Sequence, residues 1–342
     1  MDNETKTNYS TIDFLKLIGS ILVICIHTHP FNNLSETLDF WHINMLCRIA
    51  VPFFFISSGY FFYKKIHNYG HQTIILKKYL YRIIRLYLFW SMIYFPFYVG
   101  FSHINLNSIR MFIMGFFLNG TFYHLWFFPA LISSVLLVYF LSIRYSLKTI
   151  IISFSIIYII GLFGDSYYHL SEYFGIKSLI DFYRSFFVYT RNGFFFGVLY
   201  VSIGAYISTI NPKTFNSKLF STGIIFCSVF YISEVYCVKT FQLASDYNMY
   251  LFLFPLSSLI FIKALNSNIF KLYNTSRFRD YSTLIYVFHP LPIEMTKIIC
   301  FKFSLSKPTS FEYFIISLTS SILFIYLYKI YSKIDFRSLY HK

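Results

Sequence analysis

The sequence predicts an all-α bundle of transmembrane helices, about ten spans, with both termini cytoplasmic. Three observations predict it. Of 342 residues, 56% are hydrophobic, 23% aromatic and only 13% charged, against about 25% charged in an average soluble domain. So little charge cannot coat a water-facing surface. The apolar residues fall in runs of about 17–25, the length that crosses a bilayer. The lysines and arginines collect between those runs. The formal charge of +15 is therefore no sign of a nucleic-acid partner, which needs a basic patch on a soluble face. The partner it predicts is the lipid bilayer, with aromatic rings at both interfaces.

Residues 1–11 are polar, and the first run, 12–29, is not trailed by a small-residue cleavage site, so it is expected to remain as an anchor. The second run is 44–63. The 30–43 loop before it carries no Lys or Arg, whereas the loop after it carries Lys64, Lys65, Lys77, Lys78, Arg82 and Arg85. Cytoplasmic loops accumulate basic residues, which puts the N-terminus inside. The remaining runs are 86–102, 123–142, 148–164, 190–208, 219–238, 247–266, 280–300 and 311–331. Residues 106–118 are too short to span and are expected to lie in the interface as a partly amphipathic helix. No repeat or linker divides the chain and no soluble domain follows the last run, so residues 1–342 read as one membrane domain. Cys25, Cys47, Cys227, Cys237 and Cys300 lie in or beside apolar stretches without C-x-x-C spacing. They read as packing residues, with no disulfide framework and no metal expected.

Charged groups inside a bilayer are costly and are functional candidates by default. Lys16 and His27 stand eleven residues apart on the first span, hence on one helix face and about 16 Å apart along the axis. Lys16 then lies toward the cytoplasm and His27 near the outer end, where an imidazole suits proton transfer. The alternative is that Lys16 snorkels to the inner headgroups and His27 merely ends the span. Arg48 opens the second span at a depth similar to His27 and is equipped to grip an anionic or sugar oxygen or to stabilise an oxyanion. Pro52, Ser57, Ser58 and Gly59 mark that helix as irregular. Arg191 enters the sixth span at the same outer level, so that three groups ring one depth as a shared pocket, unless Arg191 snorkels. His289 sits mid-span between Phe288 and Pro290, with Pro292 and Glu294 beyond. The prolines free backbone carbonyls there, and His289 is either a site residue or a buried polar group bonded across helices. His124 and Trp126, at the start of the fourth span, also fit an interfacial belt. The basic loop of Lys64 to Arg85 is explained by topology, or by contact with the phosphates of a cytoplasmic donor.

The pattern resembles the acyltransferase-3 family of bacterial integral membrane proteins. The resemblance rests on Lys16, ten residues, then His27; on Arg48 with Val51-Pro-Phe-Phe-Phe-Ile-Ser-Ser-Gly-Tyr60; on His124-Leu-Trp126; and on Ile285-Tyr-Val-Phe-His289-Pro290. Within the family, Arg48 to Tyr60 and Thr190 to Gly197 are most similar to the membrane domain of the vancomycin-resistance serine racemases. The soluble racemase domain is lacking, so racemase activity is not implied. The resemblance implies transfer of an acyl group, usually acetyl, from acetyl-CoA or another acyl-CoA to a hydroxyl of a cell-envelope glycan or lipid-linked saccharide. It implies no bound cofactor and a place in the bacterial cell membrane. Carried onto this sequence, His27 deprotonates the acceptor or relays the acyl group, Lys16 positions the donor, and Arg48 binds the acceptor or the oxyanion. Arg191, His289, His124 and Trp126 fall to substrate binding, and Arg82 and Arg85 to the donor. The competing function is a transporter or binding domain for a small polar solute such as L-serine, since broken second and ninth spans also suit transporters.

Overall fold

The computed structural model describes residues 9–70, 72–99, 112–113, 115–210, 217–267, 269 and 275–335. Among them every regular element is helical. The interfacial helix expected at 106–118 lies largely outside the described residues. The helices are α1 (Ser10–Thr28), α2 (Glu36–Trp41), α3 (Ala50–Tyr69), α4 (Gln72–Val99), α5 (Phe127–Ser142), α6 (Leu147–Leu162), α7 (Leu170–Tyr173), α8 (Lys177–Phe187), α9 (Val198–Thr209), α10 (Ser217–Thr240), α11 (Leu253–Asn266), α12 (Ser276–Phe288), α13 (Pro290–Lys302) and α14 (Ser310–Asp335). Five helical stretches are long and apolar enough to cross a membrane: Ser10–Thr28, Glu36–Tyr69, Lys218–Thr240, Arg277–Lys302 and Ser310–Ile330. The apolar helices at Phe127–Ser142, Leu147–Leu162, Gly193–Thr209 and Leu253–Asn266 are shorter, at most 17 residues, or roughly 21–26 Å at about 1.5 Å per residue, so among the described residues five full-length spans stand where ten were expected. They end in turns that carry polar side chains. Only the first 14 residues of the expected 86–102 span are described as helix, at the end of α4.

The chain divides into two compact units, Met1–Ala50 with Asn268–Lys342, and Val51–Ser267. In the first, α1 packs along α12 and α14, and α13 packs on α14. A bidentate ion pair ties α1 to α12: Arg279 donates Nε to Asp13 Oδ1 at 3.0 Å and an Nη to Oδ2 at 3.1 Å. The Asp13 side chain is only 2% exposed, and a charge that deep needs such a partner. One turn on, the Ser282 hydroxyl donates to the Lys16 carbonyl at 2.9 Å. At its other end α1 stops at His29, whose φ of 50° is left-handed and whose N–H returns to Cys25 O; Pro30 then forbids continuation. Asp39 closes the following loop by accepting from His29 Nδ1 at 2.7 Å and from Phe31 N–H at 3.1 Å.

Between α2 and α3 the helix changes gauge, through a π turn at His42–Leu46 and a 3-10 turn at Cys47–Ile49. The irregularity expected at Pro52–Gly59 is therefore displaced toward the N-terminus. Pro52 has no N–H for the Arg48 carbonyl, and the tight turn falls at that point, while residues 50–69 are regular α-helix.

The second unit packs α5, α6, α9 and the π turn Gly193–Gly197 together, with α10 and α11 paired and α9 touching α11. Gly59 on α3 and Gly204 on α9 make a close crossing. A Cβ on Gly59 would overlap the Val201 carbonyl, and one on Gly204 the Ile56 carbonyl. This is the close backbone approach that small residues permit between membrane helices.

Candidate functional site

In the first unit, α1 presents His27 two residues beyond Cys25, and the 3-10 turn presents Arg48 one residue beyond Cys47. Cys25, Ile43 and Cys47 share one apolar cluster with Leu22, Ile26 and Phe314, which holds the irregular turn against α1. The Arg48 side chain turns back to Asn44, Nε to Oδ1 at 3.4 Å, and Asn44 is itself anchored to Phe40 O at 2.9 Å.

His289 reaches the same place from the break between α12 and α13. Its ring stacks on that of His27, with centroids 5.3 Å apart and planes inclined by 22°. The sequence explains its posture. Pro290 lacks the N–H that would bond to the Tyr286 carbonyl four residues back, and His289 Nδ1 donates to that oxygen at 2.8 Å, with Ile285 O at 3.2 Å. A carbonyl only accepts, so Nδ1 carries the proton, and the lone pair of a neutral ring lies on Nε2. Its own carbonyl takes the Ser317 hydroxyl at 2.8 Å, fixing the break to α14. Glu294 does not serve His289: it pairs with Lys297 at 2.8 Å, which also accounts for one basic residue within a span. Lys16, half-buried on α1, lies eleven residues from His27, the axial separation of about 16 Å that helix geometry dictates.

The second unit holds Arg191, Trp126 and His124. Asn192 caps the turn that follows, its Oδ1 accepting from the N–H groups of Phe194 and Phe195; this leaves Arg191 at the mouth of the helix. Its guanidinium lies 5.1 Å from the Trp126 ring and 4.7 Å from that of Tyr189. It donates to Asn248 Oδ1 at 3.0 Å, while Asn248 Nδ2 donates to Asp165 Oδ2 at 3.2 Å. Asp165 Oδ1 further accepts the N–H groups of Asn248 at 2.8 Å and Met249 at 2.9 Å. A carboxylate, an amide and a guanidinium thus form one chain. Arg191 and Trp126 edge a cleft of about 370 Å³ with Tyr98, Asn119, Thr121 and Tyr189. Aromatic faces beside a fixed cation suit a saccharide bearing an anionic group.

His124 is fully buried, edge-on to Tyr94 at 4.9 Å. It precedes α5 in a turn, so it belongs to no exposed interfacial belt. Arg82 and Arg85 are exposed on α4, with the Arg82 guanidinium 5.7 Å from the Tyr79 ring. His27, Lys16, Arg48 and His289 belong to the first unit, and Arg191, His124, Trp126, Arg82 and Arg85 to the second.

Four buried acids among the described residues, Asp13, Asp39, Asp165 and Glu234, were not singled out from the sequence. Asp13 and Glu234 carried a legible signal, a carboxylate within or at the edge of an apolar run. Glu234 accepts the Tyr167 hydroxyl and the Leu251 N–H, both at 2.6 Å, and the Phe252 N–H at 2.9 Å. Asp165 carried none, being one polar residue in a turn. Burial, and then Asp246, pushes the Asp165 carboxyl up to about 6 against the pull of its donors. The folded chain therefore holds that proton more tightly than the unfolded one. This stabilisation is complete below about pH 4, the unfolded value, and is lost as the pH rises through about 6. Detergent-solubilised protein is expected to unfold at a lower temperature at about pH 7 than at about pH 5, with a smaller difference in Asp165→Asn. An equal difference in both would remove Asp165 as its source.

Residues 9–329 match the model of a family described as an acyltransferase domain, acyltransferase-3. An amino-acid racemase of Enterococcus faecalis is 29% identical over 330 residues, 93% of this chain and 46% of that protein. A serine/alanine racemase of Enterococcus gallinarum is 28% identical over 312 residues, 89% of this chain and 44% of that protein. The chain thus spans less than half the length of these relatives. No solved structure matches.

Proposed function

This chain belongs to the acyltransferase-3 family, and we propose that it is a membrane O-acyltransferase of the bacterial cell membrane. It would move an acyl group, acetyl in this reading, from a cytoplasmic acyl-CoA to a hydroxyl of an envelope glycan or lipid-linked saccharide. The carrying observation is the imidazole pair. His27 lies against a second ring whose Nδ1 proton is committed to the backbone, an arrangement that supports positive charge on His27 when it takes a proton. In this reading His27 removes the acceptor hydroxyl proton, the oxygen attacks the thioester carbonyl, and the carbon–sulfur bond breaks as the CoA thiol leaves and is protonated. Arg48 offers donors to the oxyanion, and Lys16 guides the donor from the inner side. Arg191 with Trp126 receives the saccharide, His124 supports that turn, and Arg82 and Arg85 meet the CoA phosphates. With both termini cytoplasmic, as the distribution of basic residues suggests, this route would run from inside to outside.

A second reading, a carrier or binding domain for a solute such as L-serine, is favoured by one observation: the relatives are named as racemases of amino acids and of serine and alanine. One comparison separates the two. Deleting the gene is expected to remove base-labile acyl esters from the envelope glycan while labelled L-serine uptake stays unchanged. Lost uptake with unchanged esters would establish the second reading and overturn the first.

A further inference from the structure

Cys25, His42 and Cys47 come from α1, the π turn and the 3-10 turn. One ligand atom from each lies within 4.8 Å of the others, the one such trio of metal-ligating side chains among the described residues. We infer that these three residues form a metal site for a thiolate-seeking d10 cation, Zn²⁺ or Cu⁺, that clamps the irregular turn to α1.

The donor set is the first support. Two thiols and one imidazole suit zinc or cuprous copper and are poor ligands for magnesium or calcium. Geometry is the second. Zinc bonds of about 2.3 Å to sulfur and about 2.0 Å to nitrogen put tetrahedral ligand atoms roughly 3.5–3.8 Å apart. Cys47 Sγ stands 3.9 Å from His42 Nδ1 and 3.8 Å from Nε2, so the separation fits and a turn of the ring about its Cβ–Cγ bond aims one nitrogen. The Phe31 ring meets the imidazole edge-on at 4.9 Å and limits that turn. Burial is the third: Cys47 is fully buried and Cys25 is 5% exposed, while His42 is only partly covered and leaves a path for the ion. Nearby, Asp39 is occupied by His29 and Phe31, so a fourth position falls to water. Such a clamp would fix His27, two residues beyond Cys25, and Arg48, one beyond Cys47, without touching substrate.

The test needs no acyl-transfer assay, so its outcome is independent of the proposed function. Full-length protein purified in detergent is stripped with chelator, loaded separately with Zn²⁺ and Cu⁺, desalted and analysed for metal. One ion per chain is expected in the wild type for at least one of the two cations, and a loss of at least tenfold in Cys25→Ser, Cys47→Ser and His42→Ala. In case these variants do not fold, Co²⁺ added to the wild type is expected to give a sulfur-to-cobalt charge-transfer band that prior thiol alkylation removes. No stoichiometric retention, retention in the Cys25→Ser/Cys47→Ser double variant, or a Cys25–Cys47 disulfide in protein alkylated before lysis would each overturn the site.

Discussion

Alanine at His27 is expected to lower acyl transfer by about 10²–10⁴-fold, the contribution of a positioned general base. The protein should still accumulate, because His27 is half-buried at the last turn of α1 and its loss leaves the Asp13–Arg279 pair, the Cys25 cluster and the His29 cap in place. His27→Gln keeps the size and polarity without the base and should be equally inactive. Transfer within about threefold of wild type in either variant would assign the proton to another group.

Replacing His289 has the next largest effect, and it separates two jobs. The ring face supports His27, while Nδ1–H satisfies the carbonyl freed by Pro290. His289→Ala removes both. Leaving a buried carbonyl without its donor costs about 1–3 kcal/mol, so the unfolding midpoint should fall, and transfer should drop by about 10–100-fold, less than for the base itself. His289→Phe keeps a ring face and loses the donor, so it should share the loss of stability but retain more transfer than His289→Ala. A merely structural role would make transfer follow the unfolding midpoint across both variants. A positioning role makes kcat follow the ring instead, with KM for the acyl-CoA unchanged.

Much of the architecture was legible because membrane helices announce themselves through long apolar runs. The helix face shared by Lys16 and His27, and the break at His289-Pro290, followed from local geometry, since periodicity and proline chemistry act within a few residues. The His27–His289 stack did not, because 261 residues separate rings brought together by the packing of α12 on α1. The Cys25, His42 and Cys47 trio was invisible for a similar reason. Its spacing matches no metal motif, and a π turn, which sequence periodicity does not reveal, sets the register of Cys47. The support of Arg191 depends on Asn248, on a loop 57 residues away, so a sequence pattern that marks the arginine says nothing of what holds it. Helix starts were less legible: the 123–142 run becomes α-helix only at Phe127, and the 190–208 run enters regular α-helix only at Val198, after the π turn Gly193–Gly197 that Asn192 caps.

The proposed reaction transfers an acyl group across the bilayer with His27 as the base. Proteoliposomes holding wild-type or His27→Ala protein, with labelled acetyl-CoA on the face of the basic α4 residues and a saccharide acceptor on the other, test it most directly. A base-labile labelled ester is expected on the acceptor with the wild type and at least a hundredfold less with His27→Ala, from the general-base contribution of about 10²–10⁴. Equal ester formation by the two proteins, or none by the wild type while labelled L-serine crosses, would contradict it.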